Sequence, residues 1–259
     1  MRPASYLIAC SAAIAAAQAA HADPGDTWTY EATPYLHAAG PHGSSGAGRV
    51  TAPVDLSFSD ILSDLDLAFQ GAFVARKGQL SFGLDAEYIR TSDDGSKSVT
   101  GPRGRANVLG KLDFTSKLSI LQGDVGWRIL DTQTKLDIIG GLRLTRVQGD
   151  LDLNGTLSVG DEVFGASRSL SESKTWADAV VGARVLHAVS DQLTLMGYAD
   201  LGGGDSRLTW QVLAGVNWRF KKNYDLRFGY RELSWDYSGG GLTWDVKMRG
   251  PYIGLGIRF

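Results

Sequence analysis

The chain has 259 residues, of which 43% are hydrophobic and 21% charged, and its formal net charge is −2. That balance excludes a disordered chain and a basic nucleic-acid binder, and no apolar run of about 18 residues follows the N-terminal segment, which excludes a helical membrane span. Glycine (33) far outnumbers proline (7), aromatics are plentiful (7 Trp, 9 Tyr, 9 Phe), and one cysteine rules out both a disulfide framework and a cysteine-built metal site.

Residues 1–22 read as a cleaved signal peptide. Arg2 supplies the positive start, Tyr6 to Ala17 the apolar stretch, and Ala20-His21-Ala22 the small-x-small pattern that a signal peptidase cuts. Leu7-Ile8-Ala9-Cys10 offers a lipobox as the rival reading, but the apolar stretch before Cys10 is too short. Cleavage after Ala22 makes 23–259 the mature domain, without cysteine.

From there the dominant period is two, the period of strands. Leu80, Phe82, Leu84, Ala86 and Tyr88 alternate with Ser81, Gly83, Asp85 and Glu87. Trp210, Val212, Ala214, Val216, Trp218 and Phe220 repeat the pattern with aromatics at both ends. Tyr224, Leu226, Phe228 and Tyr230 alternate with Asp225, Arg227, Gly229 and Arg231, and the chain ends on Tyr252, Ile253, Leu255, Ile257 and Phe259. A soluble sandwich would fill its inner face with bulky apolar groups. Here the second face is glycine and charge of both signs, which suits the polar interior of a narrow barrel, while the aromatic-ended face suits lipid. In lipid every backbone N–H and C=O must pair internally, which a closed barrel achieves.

The predicted fold class is therefore all-β, a single antiparallel transmembrane barrel. Strands are expected at 27–39, 67–76, 80–91, 111–130, 134–147, 175–188, 193–202, 207–220, 224–236 and 243–259. Short turns fall at 77–79, 131–133, 190–192 and 221–223, and longer outer loops near 40–66, 92–110, 148–174, 203–206 and 237–242. Alternation at 48–56 keeps eight or twelve strands open as alternatives to ten. Several strands exceed the about 9–11 residues needed to cross, which predicts a sheet-like collar. A phase change between Ile120 and Leu121 predicts a bulge there. Phe58, Ile61, Leu62 and Leu65 predict a short amphipathic helix capped by Ser57 or Ser59, set at the barrel mouth or against headgroups or collar.

These residues resemble small bacterial outer-membrane β-barrel proteins, whose last strand carries an assembly signal that Gly254, Ile257 and Phe259 match. A second resemblance is to a largely uncharacterised porin-like family of such barrels, carried by Thr33-Pro34-Tyr35-Leu36, Phe58 to Leu62, Val180 to Arg184, Gly229-Tyr230-Arg231 and Gly250 to Phe259. The chain departs from that pattern at His37, where an aromatic is usual, and at Ala179, where proline is. The resemblance implies a location, the outer membrane of a Gram-negative bacterium after cleavage near Ala22, and no settled activity. It also implies periplasmic chaperones and the barrel assembly machinery as partners, with outer-membrane lipids and lipopolysaccharide around the barrel and no nucleic acid.

The densest candidate constellation is the inner face: Asp85, Glu87, Asp137, Arg143, Asp178, Arg184, Asp200, Arg219, Arg227 and Arg231. Mixed charge inside a small barrel is either a salt-bridge network that fills the lumen or the lining of a narrow pathway for ions or small solutes. His37 and Glu31 share the predicted inner face of strand one, with His37 near the outer rim, but no Ser–His–Asp or His–Glu–x–x–His pattern accompanies them, so no catalytic residue and no enzyme activity is expected. Asp150, Asp152, Asn154, Gly155 and Asp161 open like a calcium loop, yet position twelve is not glutamate and both flanks are strand-like. Asn154-Gly155 therefore reads as a hairpin turn, and neither metal nor cofactor is expected. Lys97, Arg103, Arg105 and Arg76-Lys77 read as exposed charges that meet lipopolysaccharide or headgroups. The leading functional expectation is a small porin-like channel. A plugged barrel that supports the envelope or displays loops is the alternative, with a barrel hydrolase as a remote third.

Overall fold

The computed structural model describes residues 27–47, 50–100, 106–159 and 162–259. The predicted signal peptide and its cleavage near Ala22, together with Arg103 and Arg105, lie outside them. Among the described residues, twelve strands and one short helix follow in order: β1 (Thr29–His37), β2 (Gly40–Ala47), β3 (Val50–Asp55), α1 (Phe58–Ser63), β4 (Leu65–Lys77), β5 (Leu80–Thr100), β6 (Ala106–Asp131), β7 (Thr134–Val159), β8 (Glu162–Ala188), β9 (Leu193–Gly204), β10 (Leu208–Lys221), β11 (Tyr224–Gly239) and β12 (Leu242–Arg258).

Ten of these, β1 and β4 to β12, form a closed antiparallel barrel of neighbouring hairpins, sealed where β1 meets β12. The closing seam runs from Glu31 opposite Arg258 to His37 opposite Tyr252. Beyond the break after His37, β2 takes over the outer half of β12, from Gly40 opposite Arg249 to Ala47 opposite Leu242, and β3 pairs with β2. Within the alternation at 48–56, Val50–Asp55 form a real strand, but one of the collar and not an eleventh crossing.

One face of every crossing strand is apolar and exposed, as lipid requires. Phe69 and Leu142 are 61% and 60% exposed, and Leu36, Leu84, Val125, Val181, Leu201, Val212 and Ile253 belong to the same band. Aromatics gather at the short-turn end. Tyr30 stacks on Phe73 and Phe259, Trp28 on Tyr30, and Phe220 leans on Trp218 and Tyr224. A charge placed in this band should be costly. Leu142→Arg is expected to lower the unfolding free energy by roughly 2–4 kcal/mol, measured by denaturant titration of the folded barrel in lipid.

The turn chemistry is local. Gly78 (φ +55°), between Lys77 and Leu80, and the pair Gly240 (φ +57°) and Gly241 (φ +85°), between β11 and β12, occupy backbone regions that side chains disfavour.

Three predicted outer loops are largely strand. β5, β6, β7 and β8 continue to 21, 26, 26 and 27 residues. At about 3.3 Å per residue and a tilt of about 40°, 26 residues rise roughly 65 Å, twice the about 30 Å hydrocarbon core. The collar predicted from strand length is therefore a tall wall over β5 to β8, with a lower one over β11, β12, β2 and β3. Between them β9 and β10 stop at 12 and 14 residues.

Two local expectations fail. β7 runs unbroken through Asn154-Gly155, with Asn154 opposite Lys111 on one side and Ser167 on the other, so the chain does not turn there. Extended, paired backbone at 150–159 also cannot wrap a calcium ion, and the Asp150 carboxylate instead accepts from Lys117 (2.8 Å), Ser171 and Gln148, which hold it well below the usual carboxylate range. The register across Ile120 and Leu121 is continuous with both neighbours, so no bulge interrupts β6 there; the shift lies between Arg128 and Leu130.

Helix α1 forms where periodicity placed it, with Ser57 as cap: its hydroxyl accepts from the Asp60 N–H (3.3 Å) and the Asp60 carboxylate accepts from the Ser57 N–H (2.9 Å). The Ser57 hydroxyl and N–H together hold that carboxyl below its ordinary range. No helix residue is buried and Leu62 is 56% exposed, so α1 does not close the mouth.

Candidate functional site: the barrel lumen

Inward positions come from alternate residues of each strand, and their chemistry changes with height. Along β11 the inward series is Asp225, Arg227, Gly229, Arg231, Leu233, Trp235 and Tyr237, charged below and apolar above. The same change on β6 runs from Arg128, Asp124 and Gln122 to Ile120 and Leu118. That is the origin of the apparent phase shift: the strand does not slip, but its inward residues become apolar.

The lower and middle storeys are an ion-pair network. Arg231 reaches Glu87 (2.6 Å) and Asp85 (3.4 Å), with the Tyr35 hydroxyl accepting from Arg231 (2.9 Å) and donating to Asp85 (3.0 Å). Its Nη2 and Nε also donate to Gln211 (2.6 and 2.9 Å), and Gln70 donates to Glu87 (3.0 Å). Across the lumen Arg143, fully buried, donates to Asp200 (2.7 and 2.8 Å), Gln122 (2.7 and 2.9 Å) and Thr209 (2.7 Å). Nearer the short turns, Arg227 pairs with Asp225 and Glu31 (both 2.6 Å), and Arg258 with the same two acids (2.5 and 3.0 Å). On the opposite wall Asp137 accepts from Arg76 (2.5 Å), Arg128 (2.8 Å) and Arg184 (3.0 Å).

Inward glycines make room for these long side chains. A Cβ at Gly83 would lie 2.5 Å from the Asp124 carboxylate, and one at Gly256 would lie 2.6 Å from Asp225 and 2.7 Å from Arg227.

Above this network sits an apolar storey of Ala39, Ile120, Trp176, Leu233, Trp235, Tyr237 and Met248, ringed by Ile89, Leu118, Val147, Leu242 and Trp244. Trp176 stacks on Tyr237 with centroids 4.3 Å apart, and the Trp235 indole N–H donates to Thr145 (3.0 Å). Beneath it a cavity of about 820 Å³ opens at the short-turn end, where Gln133, Ser190 and Asn223 stand at its mouth, and it reaches inward to Gln122, Tyr198, Gln211 and Arg231. None of the apolar residues lines it.

Of the ten residues singled out from sequence, Asp85, Glu87, Asp137, Arg143, Arg184, Asp200, Arg227 and Arg231 join the network. Asp178 faces inward and is buried, but accepts from the Ser206 N–H (2.8 Å) and from no cation among the described residues. Arg219 stands exposed at the short-turn rim, two residues from the end of β10, and its guanidinium bonds only to the Asp191 carbonyl (3.4 Å) among the described residues.

Arg76 corrects the opposite way. Although one residue from a turn, it points inward, since β4 presents its even residues to the lumen. Arg128, Arg258, Asp225 and the glutamines Gln70, Gln122 and Gln211 were not singled out either; alternation placed them inward, but amides carry no charge signal and the terminal Arg258 lies in a strand dominated by apolar residues.

His37 and Glu31 both point inward from β1, but at different heights, and His37 is not at the outer rim. Glu31 belongs to the lower storey, and His37 is buried in mid-lumen, its Nε2 3.2 Å from the Arg231 carbonyl and its Nδ1 4.0 Å from Glu87. A second His–carboxylate pair, His42 with Asp55 (2.5 Å), lies exposed on the β2–β3 hairpin. Neither pair is bonded to a hydroxyl nucleophile among the described residues. The closing strand carries Gly254 opposite Tyr35 and Ile257 opposite Ala32, and the Phe259 N–H donates to the Tyr30 carbonyl (3.0 Å).

No protein-family model matches the chain, and no curated protein matches it significantly. Solved structures do match. The outer membrane protease OmpT from Escherichia coli aligns with a TM-score of 0.53 at 10% identity, over 93% of this chain and 99% of that one. The translocator domain of autotransporter NalP from Neisseria meningitidis (TM-score 0.41, 12% identity, 92% and 90% coverage) and Neisserial surface protein A (0.33, 14%, 90% and 97%) also match. At such identities the likeness concerns architecture alone: this chain has the closed antiparallel fold of bacterial outer-membrane β-barrels.

Proposed function

We propose that the protein is an outer-membrane barrel sealed against through-flow, which anchors a tall outer collar and keeps a vestibule open to the periplasm. One observation carries this reading. The lumen is occupied at two heights, by paired Arg and acidic side chains and, above them, by a buried Trp–Tyr–Leu–Met layer, none of whose residues lines the vestibule. The exposed apolar band supports the membrane setting, and the short turns at one end and tall strands at the other support placing the vestibule on the periplasmic side. Outer-membrane lipids and lipopolysaccharide then surround the band and the foot of the collar. Gly254, Ile257 and Phe259 serve the assembly machinery in this reading.

The small porin-like channel is the second reading. It is favoured by the vestibule, which already reaches mid-lumen, and it requires the apolar storey to move aside. No reaction is assigned, since the buried His37 sits under that storey and the exposed His42–Asp55 pair is bonded to no hydroxyl nucleophile among the described residues. Proteoliposomes holding the folded barrel are expected to show no swelling in isotonic arabinose above that of empty vesicles; swelling at porin-like rates would favour the channel.

A further inference from the structure

We propose that the vestibule holds an oxyanion site, formed by Arg76, Arg128 and Arg184, that takes a phosphate- or carboxylate-bearing small molecule from the short-turn end. These three arginines come from β4, β6 and β8 and converge on a single carboxylate, Asp137, which is 1% exposed and lies behind them rather than on the cavity wall. All three arginines do line the cavity.

Donors greatly exceed acceptors at this wall. Asp137 Oδ2 alone accepts from Arg76, Arg184 (3.0 and 3.2 Å) and Arg128 (3.5 Å), which saturates it. Each guanidinium carries five N–H groups, so three offer about fifteen. Six bonds reach protein acceptors among the described residues, five to Asp137 and one from Arg128 to Asp131 (3.3 Å). Arg76 Nη1 is buried without a partner among them.

Charge points the same way. Arg76, Arg128, Arg184 and Lys135 face Asp137 and Asp131, and even Asp124, which lies within electrostatic reach of Arg184 and has no ion-pair partner among the described residues, leaves one positive charge in excess. A planar, forked donor set beside an open cavity matches the geometry of carboxylate and phosphate. The vestibule supplies access, and the low dielectric of the surrounding wall strengthens the attraction. Stapling the strands needs no such surplus, because one arginine would neutralise Asp137.

The site stands independently of the outer seal. A conducting barrel would overturn the sealed reading and leave this one intact, because binding is measured in detergent without a membrane side. The folded full-length barrel is titrated calorimetrically with inorganic phosphate, and separately with succinate, at ionic strength held constant with chloride.

Saturable binding of phosphate, of succinate or of both is expected, and which probe binds identifies the source of the oxyanion. Arg76→Gln and Arg184→Gln should each weaken it about tenfold or more, with folding verified by faster migration in unheated gels. Asp124→Asn, which removes a repelling charge without touching the arginines, should tighten it several-fold. No saturable heat with either probe in the folded wild type, or binding unchanged in both Arg variants, would overturn the proposal.

Discussion

Arg231→Ala alone is expected to leave the barrel electrically silent in a planar bilayer, whereas Arg231→Ala combined with Trp235→Ala is expected to yield discrete open steps. Both side chains rise from β11 into the lumen, at successive heights. Arg231 plugs the middle storey through Glu87, Asp85, Tyr35 and Gln211. Removing it joins the space beside it to the vestibule, but Leu233, Trp235, Ile120 and Met248 still close the lumen above. Removing Trp235 as well takes out a fully buried indole from the centre of that closure. The apolar layer excludes ions because no group in it replaces their hydration, so a void on this column must span both storeys before current flows. Conductance in the single Arg231 variant would show that the apolar layer is no barrier.

The second large effect concerns stability. Asp200→Ala is expected to lower the unfolding free energy by about 3–5 kcal/mol, read from denaturant midpoints of the folded barrel in lipid vesicles. Arg143 is fully buried and Asp200 holds its charge at 2.7 Å. Gln122 and Thr209 would still accept from the guanidinium, but neither is charged, so the cation would remain uncompensated in the barrel interior. The effect of Asp200→Ala should shrink when Arg143→Ala is also present, since the cost lies in the orphaned charge and not in the missing carboxylate. A loss below about 1 kcal/mol would mean that water, reaching Arg143 from the vestibule, screens the pair.

Alternation made the barrel legible, because lipid on one side and charge on the other force a strict period of two over every crossing strand. It misled where the lumen turns apolar. At Ile120 and Leu121 both faces of β6 are apolar for a different reason, one facing lipid and the other the Trp235 storey, and a pattern of hydropathy cannot tell these apart. Parts of the collar resemble loops in sequence for a related reason. Above the membrane neither face needs to be apolar, so 92–100 loses its alternation while its backbone keeps pairing, whereas Leu151, Leu153, Leu157 and Val159 keep alternating and only Asn154-Gly155 suggests a break.

Asn154-Gly155 carried a strong local turn preference that two flanking strands override. Charged residues that alternate with bulky apolar ones, as Arg227 and Arg231 do, are legible as pointing into the lumen. Arg76, beside a turn, lacks that context, and Arg128, though flanked by Trp127 and Ile129, sits next to a bulge, so the crowding of three cations on Asp137 is not legible. Which acid meets which base was never in the pattern, since it depends on how strands far apart in the chain face each other across the barrel.

The most direct measurement of the sealed lumen is a planar-bilayer recording of the wild-type barrel, its folding and insertion verified by heat-modifiable migration, over a range of voltages in concentrated potassium chloride. The two-storey lumen predicts a baseline without steps, at voltages where Arg231→Ala with Trp235→Ala conducts. Reproducible steps of uniform size from the wild type would contradict it and establish a channel.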